Sequence, residues 1–449
     1  MEIYKIYENF ILNVLKEGTY ASDEEIRNAT VDVLSIIRDN KDSTVQEMVS
    51  IILDNVTKDI MDIVDNYPIP GFTFGVDTGN INVKLYGGDV DETGRELSSD
   101  AIFDVASVTK FYTQIVAYNL INEGYFNYDD KVKDLDFRFK NLGDLTVGDI
   151  LTFTTSFRTS GRLTDKSGKE EALDALFDIE VVKKGEYNYN DMGLMIMKEV
   201  MEKLTGKSYP ELVNHYIINR LDLRNTHLIV PENKIELLTG SPNASKGKVN
   251  DPKALIMGGY SGHAGIFASS DDLIKLGKGF MNKEIINDKG LNDAMNHGVE
   301  DVRGIMGNTF TSDEEGVIFS FVDRLSPKKS FAVQGSTRTQ LNVGKDGMST
   351  ILLNPSSMGL ERALYEEKKF NLMRKAEGLS PLNLVQHFNF DGNNYTLIDA
   401  RMMTPSAETE EVLTTINAKL MLKLRLLNEF MKEYDKNYSE EISVTKKIK

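Results

Sequence analysis

The sequence lacks cysteine and tryptophan altogether, and it has only 10 prolines and five histidines in 449 residues. Without cysteine, structural disulfides and cysteine-ligated zinc sites are excluded, although the chain fits either redox compartment. The histidines are scattered without the spacing of metal ligands; they are His215, His227, His263, His297 and His387. The sequence therefore predicts no metal and no cofactor.

Basic residues are also in short supply, because 69 acidic side chains outnumber 52 basic ones and give a formal net charge of −17. Such a charge repels nucleic acid and anionic membranes at long range. No run of about 18 apolar residues is present, and the first twenty residues carry charges within each short apolar run, unlike a signal peptide. We therefore expect a cytoplasmic protein with a small-molecule or peptide substrate, no nucleic-acid partner and no membrane span; the oligomeric state is not predicted.

What the sequence does contain is enough apolar residues, 41%, for a large core and more than one compact unit, given about 100 to 200 residues per domain. Helical periodicity predicts an N-terminal helical extension over residues 1–66, with capping boxes at Ser22 with Glu25 and at Ser43 with Gln46. We expect its apolar faces to pack on the main domain, with a separate interaction module as the alternative.

The rest of the chain divides into a core, residues 67–358, a charged connector, residues 359–405, and a long helix that packs on the sheet, followed by a tail, residues 406–449. The core opens with a predicted β-hairpin around Gly79 and Asn80. Strands return after a helical insert, at residues 317–322, 330–334 and 337–353. The sheet is therefore expected to be assembled from both ends of the core.

Residues 103–113, FDVASVTKFYT, place a serine three positions before a lysine, where a strand-like approach changes to a helical pattern. A serine hydroxyl is a poor nucleophile at neutral pH unless a base lies within hydrogen-bond reach. Residues three apart share a helix face, so Lys110 can reach Ser107. The arrangement predicts a nucleophile, and the alternative is that Ser107 merely caps a helix.

The same serine–lysine spacing occurs three more times, at Ser245 with Lys248, Ser326 with Lys329, and Ser443 with Lys446. The first two pairs lie in polar stretches broken by glycine or proline, and the third repeats the letters SVTK in a charged tail. Of the four serines, only Ser107 has apolar flanks that would bury a lysine. The flanking sequence therefore singles out Ser107.

Five blocks in order resemble the serine β-lactamase and penicillin-binding-protein-like family, which includes class C β-lactamases. They are IPGFTFGV (69–76), FDVASVTKFYT (103–113), LTVGDILTFTTSF (145–157), YNYNDMGLMIMKEVMEKLTGKSYPELV (187–213) and NDPKALIMGGYSGHAGIFASSDDLIKLGKGF (250–280). The resemblance spans about residues 70–354. It implies an α+β, β-lactamase/transpeptidase-like fold: an antiparallel sheet flanked by helices, with a large, mostly helical insert domain.

Tyr189, Asn190 and Asp191 resemble the second motif of the family, a tyrosine, any residue, then asparagine or aspartate. The resemblance implies that the Tyr189 oxygen contacts Ser107 and Lys110, that tyrosine and lysine act together as the base, and that Asp191 holds Lys110. A nearby buried ammonium favours the charged form of a phenol, which makes this chemistry reasonable. The alternatives are a core tyrosine and an aspartate N-cap.

The third motif departs from the family pattern of Lys or His, Thr or Ser, then Gly. Here the strand reads Val333, Gln334 and Gly335. Gly335 is kept, and the resemblance implies an oxyanion hole from the main-chain N–H groups of Ser107 and Ser336, with substrate contacts from Gln334 and Gly335. The side chain of Val333 cannot donate a hydrogen bond, which counts against β-lactam hydrolysis and recognition of a peptide carboxylate.

Two other residues of these blocks have open or structural interpretations. Arg338 is either a replacement cation for the altered motif or a solvated strand residue. His263 is predicted to be structural, because the family carries a histidine in the same glycine-rich loop without assigning it a catalytic role.

Together these patterns favour a serine hydrolase that cleaves an ester or amide through an acyl-enzyme on Ser107. Lys110 and Tyr189 would move the proton, and Asp191 would orient Lys110. Two alternatives stay open: a catalytically weakened relative that binds a ligand in the cleft, and a D-amino-acid peptidase or carboxypeptidase.

Overall fold

The computed structural model describes most of the chain between residues 22 and 448. The described residues are 22–66, 69–90, 94–240, 247–296, 325, 330–344, 347–354, 360–390, 393–398, 407–435 and 438–448. The predicted strand at 317–322 lies outside them, as do Ser245 and Ser326 of the additional serine–lysine pairs.

A six-stranded sheet lies at the centre of the fold. The strands of the described residues, which belong to this sheet and to three smaller ones, are β1 (Gly71–Asp77), β2 (Ile81–Gly88), β3 (Phe103–Asp104), β4 (Thr155–Arg158), β5 (Glu180–Lys184), β6 (Thr226–His227), β7 (Phe267–Ala268), β8 (Phe331–Gly335), β9 (Thr339–Gly344), β10 (Gly347–Asn354), β11 (Val385–Phe390), β12 (Asn393–Ile398) and β13 (Ile442–Ile448). The central sheet has the order β13-β2-β1-β10-β9-β8, and a three-stranded sheet has the order β3-β7-β6. Strands β4 with β5 and β11 with β12 form two-stranded sheets.

The central sheet is assembled from both ends of the core, as the sequence predicts. Strands β1 and β2 form the expected antiparallel hairpin, closed by a hydrogen bond from Thr78 N to Ile81 O (2.9 Å). Gly79 in this turn has φ +90°, a conformation that glycine adopts without steric cost. On its other side β1 pairs with β10, so the N-terminal hairpin joins the three strands from the end of the core.

Helices cover both faces of the sheet. They are α1 (Asp23–Asp39), α2 (Val45–Asn66), α3 (Thr109–Asn122), α4 (Val132–Leu135), α5 (Val147–Leu151), α6 (Lys169–Phe177), α7 (Met192–Thr205), α8 (Tyr209–Val213), α9 (Asn219–Leu221), α10 (Pro252–Ile256), α11 (Ser270–Met281), α12 (Asp288–Asn296), α13 (Leu360–Ala376) and α14 (Ala407–Tyr434).

The two faces of the sheet bury separate hydrophobic clusters. On the outer face, α1, α2 and α14 pack with the sheet; Val49 and Leu53 of α2 are buried with Leu424 and Leu427 of α14. The inner face carries α11 and, beyond it, the mostly helical insert, with α3 at its centre. The serine predicted as nucleophile lies on this inner side, at the start of α3.

The capping box of α1 is present as predicted, between Ser22 and Glu25. The second one is displaced by a residue. Thr44 N donates to Glu47 Oε2 (2.7 Å) and Glu47 N donates to Thr44 Oγ1 (3.2 Å), so the box is Thr44 with Glu47, and the prediction of Ser43 with Gln46 is wrong.

Two segments contain more regular structure than the sequence predicted. The connector contains α13 and the β11–β12 hairpin. The charged tail forms β13, which pairs with β2 in parallel, from Ile442 opposite Ile81 to Ile448 opposite Gly87. The central sheet is therefore antiparallel except at this edge, where the last strand covers β2.

Candidate active site

Ser107 lies in a tight turn between β3 and α3. A single 3₁₀ turn, Ala106–Val108, precedes the helix, and Ala106 has φ +43°, which is uncommon for a residue with a side chain. The turn is stabilised by Asp104, whose carboxylate accepts a hydrogen bond from Ala106 N (2.9 Å). The N-cap position of α3 is Val108 and carries no side-chain cap hydrogen bond, so the alternative of Ser107 as a capping residue is not what the turn shows.

The contact predicted from the serine–lysine spacing is present. Lys110 Nζ donates to Ser107 Oγ at 2.8 Å, and Lys110 is 0% exposed. Apolar neighbours on both sides of the turn, including Val105, Val108 and Phe111, bury it. A buried cation needs compensation by a partner of opposite charge.

Asp191 provides that compensation from the residue before α7. Its Oδ1 accepts a hydrogen bond from Lys110 Nζ at 2.7 Å. Burial disfavours the charged form of Lys110, but Asp191, together with Tyr189, outweighs this effect and raises the pKa of Lys110 above its usual range. Asp191 makes no side-chain cap hydrogen bond to α7, whose first turn is bound instead by Asn190 Oδ1, which accepts from Gly193 N (3.0 Å).

Tyr189 lies beside Lys110. Its ring stacks on Phe153, with centroids 5.6 Å apart and an angle of 9° between the planes. Lys110 Nζ lies 4.8 Å from the centroid of the tyrosine ring. The residue is 45% exposed, so it is not the core tyrosine of the alternative interpretation. Tyr189 is therefore partly open to solvent beside a buried ammonium.

The third motif lies at the end of β8, directly against the nucleophile turn. A Cβ on Gly335 would overlap Val105 O and Thr339 Oγ1, so only glycine allows this approach. Thr337 Oγ1 donates to Asp104 O (2.6 Å), which ties the turn after β8 to β3. Ser336 is exposed in that turn, next to Gly335.

The two altered positions of this motif differ in their surroundings. Val333 is 1% exposed and packs in the inner hydrophobic cluster, whereas Gln334 is half-buried. Arg338 is buried in the turn between β8 and β9 with φ +62°, so the alternative of a solvated strand residue is wrong. At the position where the family pattern has a cation or imidazole, β8 therefore carries a buried apolar side chain.

Three charged residues of this site were not predicted from the sequence: Asp104, Asp251 and Lys253. Lys253 Nζ lies 3.1 Å from Asp191 Oδ2 and 3.4 Å from Asp251 Oδ2. Asp251 caps α10 through Ala254 N (2.9 Å). The signal was available, because Asp251 and Lys253 are the charged residues at the start of an otherwise apolar block, NDPKALIM.

His263 is buried behind these carboxylates. Its Nε2 lies 2.9 Å from Asp251 Oδ1 and its Nδ1 3.0 Å from Ser261 O. Ligand-type atoms of Asp191, Asp251 and His263 lie within 4.8 Å of one another. The ammonium of Lys253 already contacts both carboxylates and would repel a divalent ion, so we assign no metal to this cluster.

The sequence that forms this site matches a known protein family. The model described as Beta-lactamase matches residues 53–312, which is more than half of the chain. The chain belongs to the beta-lactamase family. The resemblance found in the sequence is thereby confirmed. The match includes Ser107, Lys110, Tyr189, Asp191 and the glycine-rich loop, and it ends before β8.

Individual relatives are distant. A Bacillus subtilis (strain 168) protein, "N-acetylmuramyl-L-alanine amidase", is 27% identical over 240 residues, which cover 44% of this chain and 54% of that protein. The chain thus spans about half the length of this relative.

Two solved structures share the fold over most of their length. EstCE1, "a hydrolase with promiscuous acyltransferase activity", has a TM-score of 0.56 at 16% identity and covers 71% of this chain and 97% of its own. A "Beta-Lactamase/D-Alanine Carboxypeptidase from Pseudomonas syringae" has a TM-score of 0.54 at 16% identity, with 70% and 96% covered. The predicted α+β fold of the β-lactamase type is therefore confirmed.

Proposed function

We propose that this protein is a serine hydrolase that cleaves an ester or an amide through an acyl-enzyme on Ser107. The observation that supports it most is the 2.8 Å contact between Ser107 Oγ and the Nζ of a wholly buried lysine. A buried ammonium is costly unless it has a function or a partner, and here it lies between a carboxylate and a hydroxyl. Membership of the beta-lactamase family agrees with this chemistry.

In the first step the Ser107 hydroxyl loses its proton to the Lys110–Tyr189 pair while its oxygen attacks the substrate carbonyl carbon. The negative charge on the carbonyl oxygen is bound by the main-chain N–H groups of Ser107 and Ser336. The tetrahedral intermediate collapses, the leaving group takes a proton from the pair, and the acyl group stays on Ser107. Water then attacks the carbonyl carbon of the acyl-enzyme, with the Lys110–Tyr189 pair again as base, and the product acid leaves as the Ser107 hydroxyl is restored.

The charge state of Lys110 decides how the pair works. Because its raised pKa keeps it an ammonium at neutral pH, Lys110 cannot itself accept the serine proton in that state. The base therefore has to be the Lys110–Tyr189 pair as a unit, in the form that has lost one proton. Asp191 keeps Lys110 in place for this step.

The substrate we propose is a neutral ester or amide. Val333 provides no charge on β8 for a carboxylate. The printed name of the Pseudomonas syringae structure, a beta-lactamase/D-alanine carboxypeptidase, favours a D-amino-acid peptidase as the second candidate. A ligand-binding protein without turnover is the third, prompted by the same altered strand. The expected cytoplasmic location stays a prediction.

The test is labelling by a fluorophosphonate probe, together with hydrolysis of p-nitrophenyl esters and reaction with a fluorescent penicillin. We expect labelling and ester hydrolysis by the wild-type chain, loss of both in Ser107→Ala by about 10³-fold or more, and slower reaction with penicillin than with the ester. Ser443→Ala is the matched control, since Ser443 starts the same four letters but lies on β13; it should leave labelling unchanged.

Labelling that persists in Ser107→Ala would contradict the proposed nucleophile. A wild-type chain that reacts with neither probe nor ester, yet is stabilised by a ligand in Ser107→Ala as well, would favour the binding protein. Faster reaction with penicillin or a D-alanyl peptide than with any ester would contradict the substrate class.

A further inference from the structure

Lys253 is the second lysine of the site, and no step described above uses it. It lies on α10, which starts in the glycine-rich block, whereas Lys110 lies on α3. The two ammonium groups bind different oxygens of one carboxylate: Lys110 contacts Asp191 Oδ1 at 2.7 Å and Lys253 contacts Asp191 Oδ2 at 3.1 Å. Asp191 is therefore shared between them.

The sharing continues on the other side of Lys253. Its Nζ also contacts Asp251 Oδ2 at 3.4 Å, and Asp251 Oδ1 is 2.9 Å from His263 Nε2. The other ring nitrogen of His263, Nδ1, lies 3.0 Å from Ser261 O. The site is a row of alternating charges, Lys110, Asp191, Lys253 and Asp251, with His263 next to Asp251.

We propose that Lys253 is a positioning residue: it shares the Asp191 carboxylate with Lys110, and this sharing lets the Lys110–Tyr189 pair release a proton at neutral pH. The inference rests on the proposed function, because it needs that pair as the base. A carboxylate bound to Lys110 alone would hold the ammonium more firmly and would lose its partner whenever Lys110 became neutral. With Lys253 in place, Asp191 keeps a counter-ion throughout the reaction.

Among the described residues, the charged groups in contact with Lys110 and Asp191 belong to this row. Lys110 faces Ser107 Oγ, Asp191, the Tyr189 ring and the carbonyl oxygen of His263 (3.5 Å). Burial opposes the charge of Asp191, but Lys110, Lys253 and His263 outweigh it and hold the pKa of Asp191 well below its usual range. Burial likewise opposes the charge of Asp251, but Lys253 and His263 outweigh it and lower the pKa of Asp251.

Local structure holds Lys253 at this place. Asp251 caps α10, Pro252 occupies the first helical position, and Lys253 follows on the first turn. His263 returns on the glycine-rich loop and binds the outer oxygen of Asp251. A short, capped helix therefore fixes the backbone from which the Lys253 ammonium reaches Asp191.

The experiment measures the rate of fluorophosphonate labelling of Ser107 between pH 5 and 10, in the full-length chain. In Lys253→Met the apparent pKa of labelling should rise by about one unit, so that labelling at pH 7 falls about tenfold and recovers at higher pH. In Asp251→Asn, which keeps an acceptor oxygen for Ala254 and His263 but loses a negative charge, the profile should move in the opposite direction.

Two further variants complete the design. Lys253→Arg keeps the charge and should restore most of the labelling at pH 7. Lys278→Met removes a lysine that pairs with Asp77 outside this site and should leave the profile unchanged.

Identical pH profiles for Lys253→Met and wild type would overturn the inference, as would shifts of the same sign in Lys253→Met and Asp251→Asn. If Lys253→Met fails to fold, the direction of the shift in Asp251→Asn still decides the sign. Failure of the proposed function is seen separately, as wild-type labelling that is absent or does not depend on Ser107.

Discussion

Asp104 shows at the scale of one residue how the fold constrains the nucleophile. Its carboxylate is buried and accepts hydrogen bonds from Ala106 N (2.9 Å) and Asn250 N (2.6 Å), so it joins the nucleophile turn to the loop that carries Lys253. Burial raises the pKa of Asp104 from 3.8 to about 6, although both N–H donors favour the charged form. The ionised carboxylate is thus kept at a cost to stability.

This cost predicts a pH dependence. Because the folded pKa lies above the unfolded one, the contribution of Asp104 to stability is fully present below pH 3.8 and is lost as the pH rises through about 6. Between pH 4.5 and 7.5 the free energy of unfolding of the wild type should fall by about 2 kcal/mol relative to Asp104→Asn. Urea unfolding of both chains at several pH values measures this difference, in which the other titrations cancel. A difference that stays constant over the range would contradict it.

Residue-scale reasoning from the sequence succeeded where partners are close in the chain. Lys110 could be placed on Ser107 because residues three apart share a helix face. Lys253 could not be placed on Asp191, since the two residues lie on separate segments of the chain and no local periodicity brings them together. The altered motif at Val333 was visible in the sequence, but only packing showed that its side chain is buried.

Strand β13 shows the same contrast at the scale of an element. Ser443 and Lys446 repeat the letters SVTK of the nucleophile block, yet they lie on an edge strand. Residues three apart on a strand point to opposite faces, so the two side chains cannot form the pair that Ser107 and Lys110 form. Lys446 pairs instead with Asp54 of α2. Identical local sequence gives different chemistry in a helix and in a strand.

The parallel pairing of β13 predicts which backbone groups hold it. Ile442 N donates to Asn80 O (2.8 Å), and the ladder alternates, so Val444 N faces β2 while Thr445 N faces away. Val444→Pro should remove a ladder hydrogen bond, leave the carbonyl of Asn82 without its donor and lower the free energy of unfolding by about 1–3 kcal/mol. Thr445→Pro is the matched control and should have a much smaller effect. Chemical denaturation of the two variants compares them; equal effects would show that this register is wrong.

At the scale of the whole molecule, one sheet separates two hydrophobic clusters. The inner cluster surrounds α3 and holds the site, whereas the outer cluster is closed by α1, α2 and α14. No helix among the described residues is long and apolar enough to cross a bilayer. Because β1 contributes to both sides, covering the outer face stabilises the strands on which the inner face depends.

We therefore propose that α1 and α2, the described helices of the N-terminal extension, are an integral part of the core rather than an independent module. Deletion of residues 1–66 would expose apolar residues on the outer face, such as Leu424, which are buried with Val49 and Leu53 of α2. The shortened chain should aggregate and should no longer be labelled at Ser107. A chain that lacks only residues 1–21 keeps α1 and α2 whole and should behave like the full-length protein. Soluble yield, far-UV circular dichroism and probe labelling measure this. A 67–449 chain with unchanged melting temperature and labelling would mean that the extension is a separate module.

The sequence by itself determined the nucleophile block, the family, the hairpin and the α+β class, because these depend on local periodicity and on short ordered motifs. Only the tertiary structure decided the alternating row of charges from Lys110 to Asp251, the burial of Arg338 and the parallel edge strand β13. The physical reason is that charge pairing and burial depend on distance in space. Residues brought together from three separate segments carry no shared pattern in the chain.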